Sequence, residues 1–357
     1  MAAEGMPFPW RGNGSTISTD LDVIWGMSDS NPVLITGGAG YIGSHAVLAF
    51  RDAGTPVVVL DDLSTGRRER VPEDVPFVEG DAGDSVLVRD LIASHGIAAV
   101  VHFAGSIVVP ESVADPLKYY RNNTCASRAL IEACVAGGVR RFVFSSTAAV
   151  YGMPAAVPIP EDAPTAPINP YGASKLMTEW ILRDTAAAQD FTYAALRYFN
   201  VAGADPEGRS GQASASATHV IEVASHAALG LRDGFEIFGD DYDTPDGTCV
   251  RDYIHVTDLA AAHLLALRHL EGGGPSATLN LGNERGFSVR EVVEAMQRVS
   301  GRNFPVRTGP RRPGDPARLV ADATRARDLL GWQPQRADLD TQIADAWRWH
   351  RKQRGDS

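Results

Sequence analysis

The stretch VLITGGAGYIGSH, from Val33 to His45, constrains this chain more than any other. A short run of strand-forming residues enters a turn that carries Gly37, Gly40 and Gly43 in a G-x-x-G-x-x-G spacing, and a helical pattern follows. The first glycine permits the tight turn. The second lets the backbone approach a pyrophosphate. The third lets the helix pack closely on the strand, with its N-terminal N–H groups aimed at the phosphates. A glycine pattern alone is a weak signal, and a plain tight turn is the alternative. The strand–turn–helix context favours dinucleotide binding.

The same alternation continues downstream. Val57–Leu60, Ala98–Phe103, Phe142–Ser145 and Tyr193–Tyr198 are apolar runs of strand length separated by helical stretches. Fully apolar short strands alternating with helices predict a parallel sheet covered on both faces. One of these helices is expected between Pro116 and Gly137, bounded by a proline and a glycine pair. The expected fold is α/β: a Rossmann-type doubly wound parallel sheet with a smaller α/β C-terminal substrate lobe. Residues 31–200 would form the NAD-binding domain and residues 201–357 the substrate lobe, with some chain exchange between them. Glycine and proline clusters mark loops in the second part, around expected helices at His263–Leu270, Val289–Val299 and Leu339–Arg351. Residues 1–30 lack periodicity and the features of a signal peptide. They read as a poorly ordered extension, with Met27 as an alternative start.

Composition narrows the partners. A net charge of −11 argues against a general nucleic-acid surface. No apolar run reaches the roughly 18 residues of a membrane span, so no membrane association is expected. Cys125, Cys134 and Cys249 form no C-x-x-C pair and no disulfide framework, which fits a reducing cytosol. No metal site is expected.

Carboxylates at the strand ends refine the cofactor. Asp61 ends the second strand, where it can accept both ribose hydroxyls of NAD, and Asp62 adds negative charge against a 2′-phosphate. Arg67 and Arg68 lie close behind as possible receivers of such a phosphate. Asp81, after the third strand, either faces the adenine or is a loop carboxylate. Phe103, Ala104 and Gly105 end the fourth strand, and their small residues would let backbone lie against the cofactor.

Tyr171-Gly-Ala-Ser-Lys175 supplies the reactive pair. Positions i and i+4 share a helix face, so both side chains can enter one cleft. A phenol with a pKa of about 10 needs a shift of about 3 units, or about 4 kcal/mol, to be half ionised at neutral pH. A neighbouring ammonium and a positive nicotinamide ring can favour the phenolate by that order. An isolated Y-x-x-x-K is most often an ordinary surface pair. Here it follows a dinucleotide fingerprint and a strand ending Ser145-Ser146-Thr147. The Thr147 hydroxyl can bond both Tyr171 and the reacting oxygen, or simply cap the strand. Ala148 and Ala149 follow, so this loop offers no extra acid or base for a dehydration.

Together these residues resemble the nucleotide-sugar 4-epimerases of the extended short-chain dehydrogenase/reductase family. GGAGYIGSH, HFAG, ESV-x-x-P-x-x-YY-x-NN, FSS-x-A-x-VYG, PYG-x-SK, LRYFN, DGT-x-VRDYIHV-x-DLA and RR-x-GD carry the match, from about Val33 to the last helix. The resemblance implies that UDP-galactose and UDP-glucose are interconverted through a transient 4-keto sugar, with tightly bound NAD and no net redox change. That would serve galactose metabolism or polysaccharide synthesis. It implies catalytic roles for Tyr171, Lys175 and Thr147. It further implies cofactor contacts from Tyr41, Ile42, Asn122 and Tyr198, and UDP-sugar contacts from Asn200, Val220, Arg251, Arg312 and Asp315. A fork-shaped guanidinium suits a diphosphate, although a surface ion pair is the alternative for each arginine. The resemblance also implies a homodimer built on helices around Leu117–Cys134 and Ser174–Ala187. Leu176, Ile181 and Leu182 are compatible with that interface or with the core.

Several residues stand apart. Ile107, Glu222 and Leu319 depart from the family pattern at a cofactor contact, near the uridine and at a sugar-size gate. His255 reads as a packed strand residue rather than an acid, and His219 as a second candidate acid. Phe235 and Phe238 suit either a uracil slot or the core. A dehydratase, decarboxylase or reductase of the same fold, an epimerase of N-acetylated or pentose sugars, and a non-catalytic dinucleotide sensor are the alternatives.

Overall fold

The apolar runs form β1 (Val33–Thr36), β2 (Val57–Asp61), β3 (Phe77–Glu79), β4 (Ala99–His102), β5 (Arg141–Thr147) and β6 (Thr192–Tyr198). In this computed structural model, residues 31–212, 219–312 and 315–355 are described, so the expectation for residues 1–30 lies outside them. Between these strands run α1 (Tyr41–Asp52), α2 (Ser85–His95), α3 (Val109–Ala114), α4 (Pro116–Tyr119), α5 (Ala126–Ala136) and α6 (Pro170–Ala188). Later elements are β7 (Asn200–Ala202), α7 (Val220–Ala228), β8 (Phe235–Phe238), β9 (Val250–His255), α8 (Val256–Glu271) and β10 (Ala277–Leu281). The chain closes with β11 (Gly286–Ser288), α9 (Val289–Ser300), β12 (Val306–Gly309), β13 (Arg318–Leu319), α10 (Thr324–Leu330) and α11 (Leu339–Gln353).

The main sheet is parallel, with seven strands in the order β10-β6-β5-β4-β1-β2-β3. Alternate residues feed opposite faces. Val33, Ile35, Val57 and Val59 join one core with residues of α1 and α8. Leu34, Val58 and Leu60 join another with residues of α2 and α5. Strand order reverses between β1 and β4, and in such sheets ligands bind in the crevice beyond the strands' carboxyl ends at that point. The seventh strand, β10, comes from beyond residue 200 and pairs with β6. A third core gathers β8, β9 and the inner faces of α7, α9 and α11.

One local feature differs from the sequence reading, and one open alternative is decided. The expected single helix between Pro116 and Gly137 is interrupted by a π-helical turn at Tyr120–Cys125, flanked by α4 and α5. Such widened turns recur at functional sites and leave no mark on hydrophobic periodicity. Leu176 and Leu182 are core residues, 4% and 0% exposed, with Ile181 packed beside the second. The large apolar side chains on view in this region are instead Leu117 and Trp180.

A buried polar chain fixes α6 to the sheet. Glu179 of α6 pairs with Arg197 of β6 at 2.6 Å and accepts a hydrogen bond from the Ser146 hydroxyl at 2.5 Å. Arg197 also donates to the Tyr151 hydroxyl at 2.9 Å, and Tyr151 donates to Asn280 of β10 at 2.7 Å. Removing one partner of such a buried pair strands the other charge, which costs about 3–5 kcal/mol. The network therefore sets the position of α6, which carries Tyr171 and Lys175.

Candidate active site

The glycine turn is shaped by two kinds of contact. Gly37 has φ +71°, and a Cβ there would lie 2.6 Å from the Ala104 nitrogen, so the turn presses against the end of β4. A Cβ on Gly43 would lie 2.1 Å from the Gly37 carbonyl oxygen, so α1 must approach the turn without a side chain. Gly40 is different. A Cβ there would meet only the Gly37 oxygen, at 3.2 Å, so protein packing alone does not demand glycine. Gly40 caps α1 without a side-chain bond, leaving the N-terminal N–H groups for an anion. Tyr41 opens α1 and donates its hydroxyl to the Gly203 carbonyl at 2.6 Å, and Ile42 packs on the core.

Asp61 sits at the end of β2, largely buried. Its two carboxylate oxygens accept the Ala39 and Leu63 N–H groups, each at 2.9 Å. Burial raises its pKa, and those backbone bonds oppose the shift. A carboxylate oxygen can accept a second bond, so ribose hydroxyls remain within its chemistry. Asp62 is turned onto Ser64, whose N–H and hydroxyl it accepts at 3.0 and 2.6 Å. Asp81 accepts the Gly83 N–H at 2.7 Å, the loop-carboxylate arrangement. Arg68 donates to the Val71 carbonyl and lies 4.7 Å from the centre of the Phe77 ring, which engages it away from a 2′-phosphate.

Tyr171 and Lys175 are both buried on α6. The Lys175 ammonium donates to the Ser145 carbonyl at 3.0 Å and stands 4.9 Å from the centre of the Phe144 ring. Burial pushes its pKa down to about 8. Burial raises the Tyr171 phenol above its ordinary value, and a hydrogen bond with Thr147 opposes that rise. The sequence suggests that the Lys175 ammonium and a bound nicotinamide ring together favour the phenolate. Among the protein groups the lowering comes from Thr147, because the ammonium is directed at the β5 backbone. Thr147 itself caps the turn Ala148–Tyr151, accepting the Ala149 N–H at 3.2 Å. The Tyr198 hydroxyl is bonded to Ser145 at 2.5 Å, so Ser145 touches both Tyr198 and Lys175.

Two residues near the reactive pair, Asn123 and His102, escape the sequence reading. Asn123, in the π-helical turn, accepts the Ser106 N–H at 2.7 Å and donates to the Ser106 carbonyl and the Ser174 hydroxyl, both at 3.0 Å. It ties the loop after Gly105 to the residue beside Lys175. Asn122 donates to the Ser106 hydroxyl at 3.2 Å. His102 bridges Thr36 and Ser127 at 2.6 and 2.8 Å beneath Phe144, and burial pushes its pKa down to about 3. Phe103 packs against the His263 ring. The asparagine pair in the sequence was the available signal, but periodicity alone does not say which amide turns inward.

The substrate-side residues come from the later elements. Arg251 of β9 is buried and ion-paired with Asp315, so these two meet each other. Arg312 lies 3.9 Å from the centre of the Phe238 ring, with no carboxylate partner among the described residues. Phe235 is a core residue. Asn200 opens β7, and Val220 opens α7 after His219. His255 is fully buried at the end of β9, bonded to Thr257 and 3.2 Å from Asp345, away from acid–base duty. Leu319 packs on a small cluster containing Ala148 and Tyr151. Ile107 is exposed in the loop after β4.

A family described as the NAD dependent epimerase/dehydratase family matches residues 33–282. A UDP-glucose 4-epimerase of Azospirillum brasilense is 60% identical over 319 residues, covering 89% of this chain and 92% of that relative. Among solved structures, the UDP-glucose 4-epimerase of Brucella ovis in complex with NAD matches with a TM-score of 0.87 and 47% identity, covering 89% of this chain and 98% of that one. The enzyme of Stenotrophomonas maltophila, with bound NAD and formylated UDP-arabinopyranose, matches with a TM-score of 0.88 and 40% identity, covering 92% of this chain and all of the other.

The depressed pKa of Lys175 is directly measurable. In protein stripped of nucleotide, competitive acetylation read by mass spectrometry should give Lys175 a midpoint near 8. An exposed lysine titrates at about 10.4. A midpoint there for Lys175 would contradict the buried geometry.

Proposed function

The chain belongs to the NAD dependent epimerase/dehydratase family, and we propose that it works as a UDP-glucose 4-epimerase, an isomerase that interconverts UDP-galactose and UDP-glucose. One observation carries the mechanism. Tyr171 and Lys175 lie buried on one helix, with Thr147 bonded to the phenol and only Ala148 and Ala149 beside it. That arrangement moves one proton at one hydroxyl and holds no second acid or base in the loop for a dehydration.

The residues fit NAD. Gly40 leaves room at the start of α1, Asp61 stands where a ribose would reach, and the Lys175 ammonium has N–H groups beyond the one given to Ser145. We assign further cofactor contacts to Gly37, Gly43, Tyr41, Ile42, Phe103, Ala104, Gly105, Asn122 and Tyr198. When bound, NAD supplies the acceptor for hydride at C4 and a positive charge beside the phenol. Tyr171 takes the proton of the 4-hydroxyl. Thr147 hydrogen-bonds the phenol as it changes charge and positions the sugar oxygen. The 4-keto sugar then turns over, the hydride would return from the reduced cofactor to the opposite face of C4, and Tyr171 returns the proton to the 4-oxygen. Asn200, Val220, Arg251, Arg312 and Asp315 hold the UDP part, so binding energy resides in the nucleotide and the sugar stays free to rotate. Arg251 must share its guanidinium between Asp315 and the diphosphate.

The enzyme acts as a homodimer in a reducing cytosol. Exposed Val113, Leu117 and Trp180 support a shared face on α3, α4 and α6, and three unpaired cysteines support the compartment. No described helix is long and apolar enough to cross a membrane.

Turnover and mass measurements check this reading. Purified protein given UDP-galactose without added NAD should yield UDP-glucose, and Tyr171→Phe should lower kcat by about 10²–10⁴-fold with little change in KM. Release of a 4-keto product, or full activity in the variant, would contradict it. Light scattering should give twice the chain mass, and Trp180→Glu should give the monomer. A wild-type monomer would exclude the dimer.

A further inference from the structure

Outside the active site, α7 and α11 bring together one carboxylate and two imidazoles. Glu222 and His226 stand one turn apart on α7 and so share a face. His350 comes from α11, close to the end of the described chain. The His350 Nε2 is 2.8 Å from Glu222 Oε2, and the His226 Nε2 is 3.4 Å from Glu222 Oε1. The two rings meet edge to face with centroids 5.4 Å apart. One donor atom from each residue lies within 4.8 Å of the others.

This group differs from an ordinary buried hydrogen-bonded pair. The Glu222 side chain is 4% exposed and that of His350 is 7% exposed. Glu222 Oε1 is buried without a well-formed hydrogen bond, with His226 Nε2 3.4 Å away. A buried carboxylate needs a compensating charge. Burial raises the Glu222 pKa, but hydrogen bonding and charge from the two imidazoles outweigh it and hold the carboxyl below its usual range, so the group is a ready anionic ligand. The other cation that Glu222 senses is Arg70, and the neighbouring side chains Tyr41 and His219 also feel the carboxylate. Two histidines and a glutamate are the donor set of a tetrahedral zinc site with one open position. Donors around such an ion, at bonds of about 2.1 Å, lie about 3.4 Å apart. The two glutamate–imidazole spacings, 2.8 and 3.4 Å, come within about 1 Å of that, and all three donors lie within 4.8 Å of one another. His226 is the most exposed of the three, at 19%, and gives an entry path and room for a water ligand.

We propose that Glu222, His226 and His350 form a zinc site that clips α7 to α11. An incoming Zn²⁺ neutralises the carboxylate and takes the lone pairs of both Nε2 atoms. Its role is structural, because its ligands come from two helices far apart in sequence, α7 and α11, which the ion would hold together. Borderline-soft zinc suits imidazole and carboxylate together, whereas magnesium or calcium would want an all-oxygen set.

The test uses the full-length protein, freed of metal by chelation and dialysis, and zinc sulfate as the probe. Competition titration should give one zinc per chain, with a raised melting temperature. The zinc K-edge spectrum should show imidazole scattering and a first shell of nitrogen and oxygen only. His226→Ala removes the most exposed ligand, and its metal-free melting temperature should stay near wild type. Its zinc affinity should fall by more than the ~10–100-fold typical of losing an outer-shell partner. His95→Ala, at an exposed position, should bind as wild type. Failure of the wild type to retain zinc above the buffer blank would overturn the proposal. So would unchanged affinity in His226→Ala, or sulfur in the first shell, which would point to a cysteine instead.

Discussion

A buried ammonium group survives only where fixed dipoles replace the water it has lost. Lys175 meets that condition with two partners on one strand, the Ser145 carbonyl and the Phe144 ring. The register of α6 against β5 therefore decides whether the site exists. A small displacement of the helix would move Lys175 off its carbonyl and Tyr171 off Thr147. The same strand end supplies Ser145 to Tyr198 and Thr147 to Tyr171. Charge, orientation and proton transfer all rest on one helix–strand contact.

The surrounding fold holds that contact from behind. Glu179, one turn beyond Lys175, is locked to Arg197 and Ser146, and the chain of bonds runs through Tyr151 to Asn280 on β10. β10 belongs to the later part of the sequence yet completes the main sheet. The placement of the reactive pair thus depends on residues more than a hundred positions away. Asn123 performs the corresponding task on the other side, joining the loop after Gly105 to α6.

The sheet and the reactive pair were legible because both rest on local spacing. Apolar runs marked the strands, three glycines marked the turn, and four residues from Tyr171 to Lys175 placed both on one helix face. Features set by long-range contacts were not. The π-helical turn at Tyr120–Cys125 leaves no periodic trace, so one helix was expected where the structure has three segments. Arg251 and Asp315 read as substrate contacts with an ion pair as the alternative for the arginine, and their pairing across β9 and a distant loop is not legible in local spacing. Leu176 and Leu182 fit a surface or a core equally well by pattern, and only packing decides for the core: Leu176 against Ala148, Val150 and Tyr151, and Leu182 in the cluster that holds Phe142, Phe144 and Ala195. Glu222 had no account until α11 brought His350 against it.

The central claim is that the hydrogen removed from C4 returns to C4 of the same sugar while Tyr171 handles only the hydroxyl proton. UDP-galactose carrying deuterium at C4, converted in ordinary water, tests it directly. The account predicts UDP-glucose with the deuterium retained at C4. Loss of the label to solvent would contradict it, because the C4 hydrogen would then have left as a proton.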